Sequence, residues 1–206
     1  MRDAARLLQT ESIEIVPILE SLDSQDFNRP TVCDLWSVRD VIAHCAAVLH
    51  DLGMGDPGDF TPEANQRGVD LRSTWSLTDL ITDLSSGYEA AIHTIDTTPG
   101  RFDGIARGEW LHGGDIRDAL DMSDAYTSAG VEIAVDLFHD RSTEMKKRAI
   151  VTRIDGTLRQ FGADTDPVGR LATDTETFVR LCGNRRPDPS RWTGDGVEAA
   201  DFNLYT

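Results

Sequence analysis

The chain has 206 residues, 39% of them hydrophobic, which suits one large domain or a main domain with a small appendage. Asp and Glu outnumber Lys and Arg by 36 to 20, and the net charge of -16 repels phosphate backbones, so we expect no nucleic-acid partner. No apolar run approaches the roughly 18–20 residues of a membrane span, and the first residues lack the apolar centre of a signal peptide. We therefore expect a cytoplasmic protein with no membrane partner.

Five segments before residue 147 have the periodicity of amphipathic helices. They cover residues 2–22, 37–53, 76–97, 106–120 and 128–147. The second helix begins at Ser37, where Asp40 three residues later resembles a capping box, and it ends at Gly53. The stretch from Asp51 to Ser73 is rich in Gly, Pro and Asp and has few apolar residues, which predicts a loop.

The sequence pattern changes after Lys147. Two short strand-like runs flank Asp155-Gly156, which is a strong hairpin signal. A short helix is predicted over residues 174–182, with Gly183 just beyond its end, and the terminal stretch can return as a strand. The sequence thus predicts a mainly α protein, with a helical bundle over residues 1–147 and a small α/β module over residues 148–206.

His44 is the first candidate for chemistry, because it lies beside the apolar stripe of the second helix. It is one turn from Val41 and one turn from Val48. An imidazole that faces a bundle interior needs a partner for each ring nitrogen, or a metal. A buried structural histidine is the alternative.

Glu109 and His112 are the second candidates, since a spacing of three residues puts both on one helix face. Inward-facing Glu-x-x-His pairs hold metals in helical bundles. Together with His44 they would give three protein ligands and leave a position for water or substrate, as in catalytic metal sites. An exposed Glu and a core His are the alternative. Asp115, one turn further, is either an acceptor that orients His112 or a solvated charge.

Other kinds of catalytic centre find little support in the sequence. The three cysteines, Cys33, Cys45 and Cys182, are widely spaced, so we interpret them as reduced core thiols rather than as a disulfide framework or a cysteine zinc cluster. Neighbouring helix residues diverge, which argues against a Cys45–His44 couple. The sequence contains no G-x-S-x-G elbow, P-loop or dinucleotide fingerprint.

Two segments resemble a known family. Residues 35–44 read L-W-S-V-R-D-V-I-A-H and resemble a signature of the DinB/YfiT-like superfamily, more narrowly of its mycothiol-dependent maleylpyruvate isomerase group. Residues 111–120 read L-H-G-G-D-I-R-D-A-L and are similar to a second signature of that group. The stretch from Thr177 to Trp192 is similar to the group's C-terminal domain, so the resemblance covers nearly the whole chain.

The resemblance implies a DinB-like four-helix bundle with a small C-terminal α/β module, the fifth helical segment being an addition or a linker. It also implies a divalent metal, usually zinc, held by His44, Glu109 and His112. In the group the acidic ligand usually stands four residues before the histidine, where this sequence has Gly108. The group further has a functional arginine in its C-terminal domain, for which the candidates here are Arg185, Arg186 and Arg191.

The implied function is that of a metal-dependent enzyme. Such an enzyme would use a mycothiol-like thiol for S-transfer or cis-trans isomerisation of a small electrophilic substrate, as a monomer or a homodimer. Two alternatives remain on the same scaffold, because function resides in the site. One is a non-catalytic metal-binding or ligand-sensing protein. The other is a scaffold that has lost its metal.

Overall fold

A computed structural model describes residues 1–205 of the chain, which is mainly helical with a small four-stranded sheet. The helices are α1 (Asp3–Ser21), α2 (Val38–Gly53), α3 (Pro62–Arg72), α4 (Leu77–Thr97), α5 (Asp103–Ala119), α6 (Val131–Glu144) and α7 (Thr175–Cys182). The strands are β1 (Ile150–Ile154), β2 (Thr157–Phe161), β3 (Gly169–Thr173) and β4 (Trp192–Asp195). Among the described residues, none of the helices has the length and apolar content that crossing a membrane requires.

The first compact unit, Met1–Gly130, is a bundle of four long helices. Helices α1 and α2 each pack against both α4 and α5, which closes a ring of four around a shared core. The helices turn their apolar stripes inward, so that Leu7, Val41, Leu84 and Trp110 are almost completely buried. This confirms a helical bundle in the N-terminal part of the chain.

Helix α2 begins as the sequence predicts, but the segment after it does not form the expected loop. Ser37 and Asp40 form a reciprocal capping box at the start of α2. The predicted loop from Asp51 to Ser73 is wrong over Pro62–Arg72, which is α3. Thr61 caps this helix through its side chain and proline occupies its first turn, a favourable start. The helix buries only Val69 and Arg72, so its sequence lacks the apolar stripe from which an amphipathic helix is predicted.

The second compact unit, Val131–Thr206, contains the sheet in the order β2-β1-β3-β4. The predicted hairpin is confirmed: β1 and β2 pair antiparallel, and Asp155 and Gly156 both have the positive φ of a type I′ turn. Strand β3 pairs parallel with β1, and β4 returns antiparallel to β3.

Helix α6 belongs to the second unit, although the sequence groups it with the bundle. It packs against β2 and α7, and the ring of His139 stacks on Phe178 with centroids 5.0 Å apart. The compact units therefore divide after Gly130, before the composition changes at Lys147. The domain boundary that the sequence analysis places at residue 147 stays a prediction.

Candidate metal centre

His44 is buried inside the bundle, with only 6% of its surface exposed. Its ring lies 4.9 Å from that of Trp36 and 5.1 Å from that of His112, measured between centroids. Burial, and to a smaller degree the nearby His112, lowers the pKa of His44 to about 3, so the ring is neutral at pH 7. Within residues 1–205, no group hydrogen-bonds its Nδ1 atom. A neutral imidazole with an unused nitrogen has the chemistry of a metal ligand.

His112 is oriented by a carboxylate on its own helix. Its Nδ1 lies 3.0 Å from Oδ2 of Asp115, one turn along α5. The other oxygen of Asp115 accepts a hydrogen bond of 2.6 Å from the hydroxyl of Tyr126. Asp115 is completely buried, so of its two interpretations the structure supports an acceptor that orients His112 and excludes a solvated charge.

Cys33, in the turn before α2, is the third side chain beside His112 and Asp115. Its thiol donates to Oδ2 of Asp115 at 3.2 Å, and its sulfur lies 3.8 Å from Nδ1 of His112. Cys33 is half-buried, whereas Cys45 and Cys182 are fully buried core thiols whose pKa values burial raises. The interpretation of all three cysteines as core thiols is therefore wrong for Cys33.

Glu109 lies in a different polar environment. Its carboxyl is buried, receives a hydrogen bond from Cys45 and has one oxygen with no partner among residues 1–205. Burial is the main cause that raises the pKa of Glu109 to about 8, with the nearby Glu11 adding to it. In the absence of a cation this carboxyl is therefore mostly protonated at pH 7.

The structure thus brings His44 and His112 together, as the sequence predicts, and adds two side chains to them. Within residues 1–205, Cys33, His112 and Asp115 form the set of three whose ligand atoms all lie within 4.8 Å of one another. Neither His44 nor Glu109 is part of this set. Imidazole, carboxylate and thiolate are the donors that zinc prefers, so the residues present fit a divalent metal of this kind.

A cavity of about 190 Å³ opens beside His44. It is lined by α2, by α3 and by the segment between them, with Asn65 and Arg67 contributing polar groups and Phe60 an aromatic ring. Helix α3, missed from the sequence, therefore forms one wall of the space next to the candidate centre.

The candidate arginines of the C-terminal unit differ in their surroundings. Arg191 forms ion pairs with Asp174 at 3.1 Å and with Glu176 at 2.6 Å. Arg185 donates to the backbone oxygen of Gly183 at 2.6 Å, and Arg186 is exposed. A functional role for any of the three stays a prediction.

Comparison with solved structures supports the fold. The chain is similar to a crystal structure of the mycothiol-dependent maleylpyruvate isomerase, with a TM-score of 0.63 and 14% identity over 96% of this chain and 95% of that one. A histidine-to-alanine mutant of the isomerase gives a TM-score of 0.61 and 13% identity over the same shares. At these identities the likeness concerns the fold alone.

Among curated proteins, no relative matches the sequence. A family model does match, over residues 8–116, and it describes the mycothiol maleylpyruvate isomerase N-terminal domain. The matched segment runs through most of the bundle and includes Cys33, His44, Glu109, His112 and Asp115. The chain therefore belongs to the mycothiol maleylpyruvate isomerase family.

Proposed function

We propose that the protein is a metal-dependent enzyme that uses a low-molecular-weight thiol of the mycothiol type to isomerise, or to conjugate, a small electrophilic substrate. Family membership supports the thiol and the isomerase chemistry, because the relatives are named for both. The bundle itself supports the metal, through the pair of imidazoles that it holds together.

The observation that carries the proposal is the state of His44. A buried imidazole with an unsatisfied nitrogen costs free energy unless something occupies that nitrogen. Its neighbour His112 is already oriented by Asp115. We infer that the two histidines bind one divalent metal, which zinc suits best.

Glu109 is the acidic ligand that the family resemblance implies. Its unpartnered oxygen supports such a role, but its raised pKa means that a metal would first have to displace a proton. Glu109 therefore has weaker support as a ligand than the two histidines.

The chemistry follows from what a thiol does when it is activated. A bound divalent metal lowers the pKa of a thiol ligand, so that a thiolate is available near pH 7. A thiolate that adds to an activated double bond turns it into a single bond, which can rotate. Elimination from the resulting carbanion then returns the thiolate and the isomerised alkene, whereas protonation of the carbanion would give a stable thiol conjugate. The cavity beside His44 offers space for a small substrate.

The test is turnover by purified, zinc-loaded protein with mycothiol and a panel of activated alkenes that includes maleylpyruvate. We expect the cis form to disappear only when both protein and mycothiol are present, with chelated protein and protein without thiol as controls. Binding of the thiol without turnover of any alkene would favour a sensor. Absence of both metal and thiol binding would indicate a scaffold that has lost its metal.

A further inference from the structure

Cys33, His112 and Asp115 form a triangle of potential donor atoms. The sides of the triangle are 3.0 Å from His112 Nδ1 to Asp115 Oδ2, 3.2 Å from Asp115 Oδ2 to Cys33 Sγ, and 3.8 Å from Cys33 Sγ to His112 Nδ1. The set combines one nitrogen, one oxygen and one sulfur, each from a side chain that can lose its proton or already lacks one.

These distances agree with those of a zinc coordination sphere. Tetrahedral zinc with bonds of about 2.0–2.3 Å separates neighbouring donor atoms by roughly 3.3–3.6 Å. Each side of the triangle therefore needs to change by only about 0.4 Å or less to accept the ion. Such small changes require no rearrangement of the backbone.

The two non-histidine donors are held in place by the surrounding structure. Asp115 is fixed by Tyr126 on its second oxygen, which leaves Oδ2 directed at His112 and Cys33. Cys33 sits in a turn in which its backbone oxygen accepts from Trp36 and its backbone nitrogen donates to Thr31. The thiol is thus presented to the centre by local hydrogen bonds.

A second observation points to a ligand at the same place. His44, which is 6% exposed and has no partner for Nδ1 among residues 1–205, lies against the ring of His112. Neither His44 nor Glu109 belongs to the triangle, and each has one buried atom without a partner among residues 1–205. The carboxyl of Glu109 differs in being hydrogen-bonded by Cys45. The position four residues before His112 is Gly108, which has no side chain to offer.

We propose that Cys33 and Asp115, rather than Glu109, bind the metal together with His112, and that His44, which lies outside the triangle, moves its side chain to supply the fourth donor. Bonds to the ion then replace the hydrogen bonds that Asp115 forms with His112 and Cys33. Binding releases the thiol proton and requires the His112 tautomer with its proton on Nε2. This assignment rests on the proposed function, because it names the ligands of the same metal. The thiolate of Cys33 takes the place that the family resemblance gives to a carboxylate. Zinc centres can expand to five ligands, so the centre stays accessible to a thiol cosubstrate.

The test uses cobalt(II) in place of zinc, in the full-length protein and without added thiol. A cobalt–thiolate bond produces an intense near-ultraviolet charge-transfer band, which nitrogen and oxygen donors do not produce. We expect the band in the wild-type protein and in Cys45→Ser and Cys182→Ser, which are matched controls for the other two cysteines. We expect it to disappear in Cys33→Ser, with metal affinity lowered about tenfold or more. Glu109→Gln should keep the band.

The possible outcomes separate this inference from the proposed function. If cobalt binds without the band, or if the band survives in Cys33→Ser, Cys33 is not a ligand, while a metal at the two histidines still stands. If Glu109→Gln abolishes binding and Cys33→Ser does not, Glu109 is the ligand. If His44→Ala and His112→Ala bind cobalt as the wild type does, the metal site of the proposed function is wrong as well.

Alkylation of the wild-type protein tests the role of Cys33 without a substitution, so misfolding of the Cys33→Ser variant cannot affect the result. Iodoacetamide should alkylate Cys33 in the metal-free native protein, since this thiol is partly exposed, whereas Cys45 and Cys182 are buried. Stoichiometric zinc should slow this alkylation about tenfold or more, because a coordinated thiolate is a weaker nucleophile. Mass spectrometry identifies the modified peptide. Equal rates of Cys33 alkylation with and without zinc would overturn the assignment.

Discussion

Nδ1 of His112 lies 3.0 Å from Oδ2 of Asp115, whose other oxygen accepts a hydrogen bond from Tyr126. This chain of contacts sets the direction of an imidazole that is itself 18% exposed. The orientation of His112 therefore depends on a carboxylate that water does not reach.

Asp115→Asn should lower zinc affinity about 10- to 100-fold, because it removes the carboxylate that orients His112 and that we propose as a ligand of the ion. Tyr126→Phe should have a smaller effect in the same direction, since the carboxylate loses only its anchor. Affinity is measured by competition with a chromophoric chelator. Asp118→Asn, on the same helix, is the control, and unchanged affinity in Asp115→Asn would contradict the role of this carboxylate.

His44→Ala should reduce bound zinc well below one ion per chain, because the proposed centre would lose one of its two imidazoles. His50→Ala is the matched control, since His50 is on the same helix but exposed to solvent. Metal content is measured by elemental analysis after gel filtration. Equal metal content in the two variants would mean that His44 is a structural histidine of the core.

The metal-free protein should lose stability as the pH rises from about 5 to 8. The pKa of Glu109 rises from 4.5 to about 8 on folding, so the folded protein binds this proton more tightly than the unfolded chain does. The resulting stabilisation is complete below the unfolded pKa and is lost on approaching the folded one, with a slope of up to about 1.4 kcal/mol per pH unit. Glu109→Gln should therefore flatten the pH dependence.

Urea denaturation at several pH values, with chelator present, checks this expectation. Glu11, whose pKa burial raises to about 7, contributes a slope of its own, so Glu109→Gln should flatten the profile without abolishing the pH dependence. The exposed Glu20→Gln is the control and should retain the wild-type slope. Parallel profiles for wild type and Glu109→Gln would show that the buried carboxyl is ionised in the folded state.

Local sequence patterns predict those features of the fold that depend on interactions between residues close in sequence. The capping box at Ser37 and the turn at Asp155-Gly156 depend on hydrogen bonds and dihedral angles within a few residues, and both occur. The pairing of His44 with His112 was inferred from their helix faces, and the rings do lie together. The short helix α3 was missed because it packs against the bundle with hardly any apolar residue.

The role of Cys33 could not have been inferred from sequence spacing. The residue is in a turn and meets Asp115 across 82 positions of sequence, a contact that only the packing of the turn before α2 against α5 creates. A cysteine with no second cysteine nearby has the appearance of a core thiol. The one available signal was position, because Cys33 lies three residues before Trp36 in the segment that leads to His44.

Two glycines of α5 should respond in opposite ways to alanine. A Cβ atom on Gly113 would lie 1.8 Å from Oε1 of Glu11, which forms a buried ion pair of 2.8 Å with Arg117. Gly113→Ala must therefore displace or break a pair that has no access to water, and we expect the free energy of unfolding to fall by about 3 kcal/mol. A Cβ atom on Gly108 would meet nothing within 4 Å, so Gly108→Ala should gain about 1 kcal/mol from helix propensity alone. Urea denaturation at pH 7 gives both values. Similar stabilities for the two variants would show that the carboxylate of Glu11 does not press against α5, and the burial of the Glu11–Arg117 pair would then need another explanation.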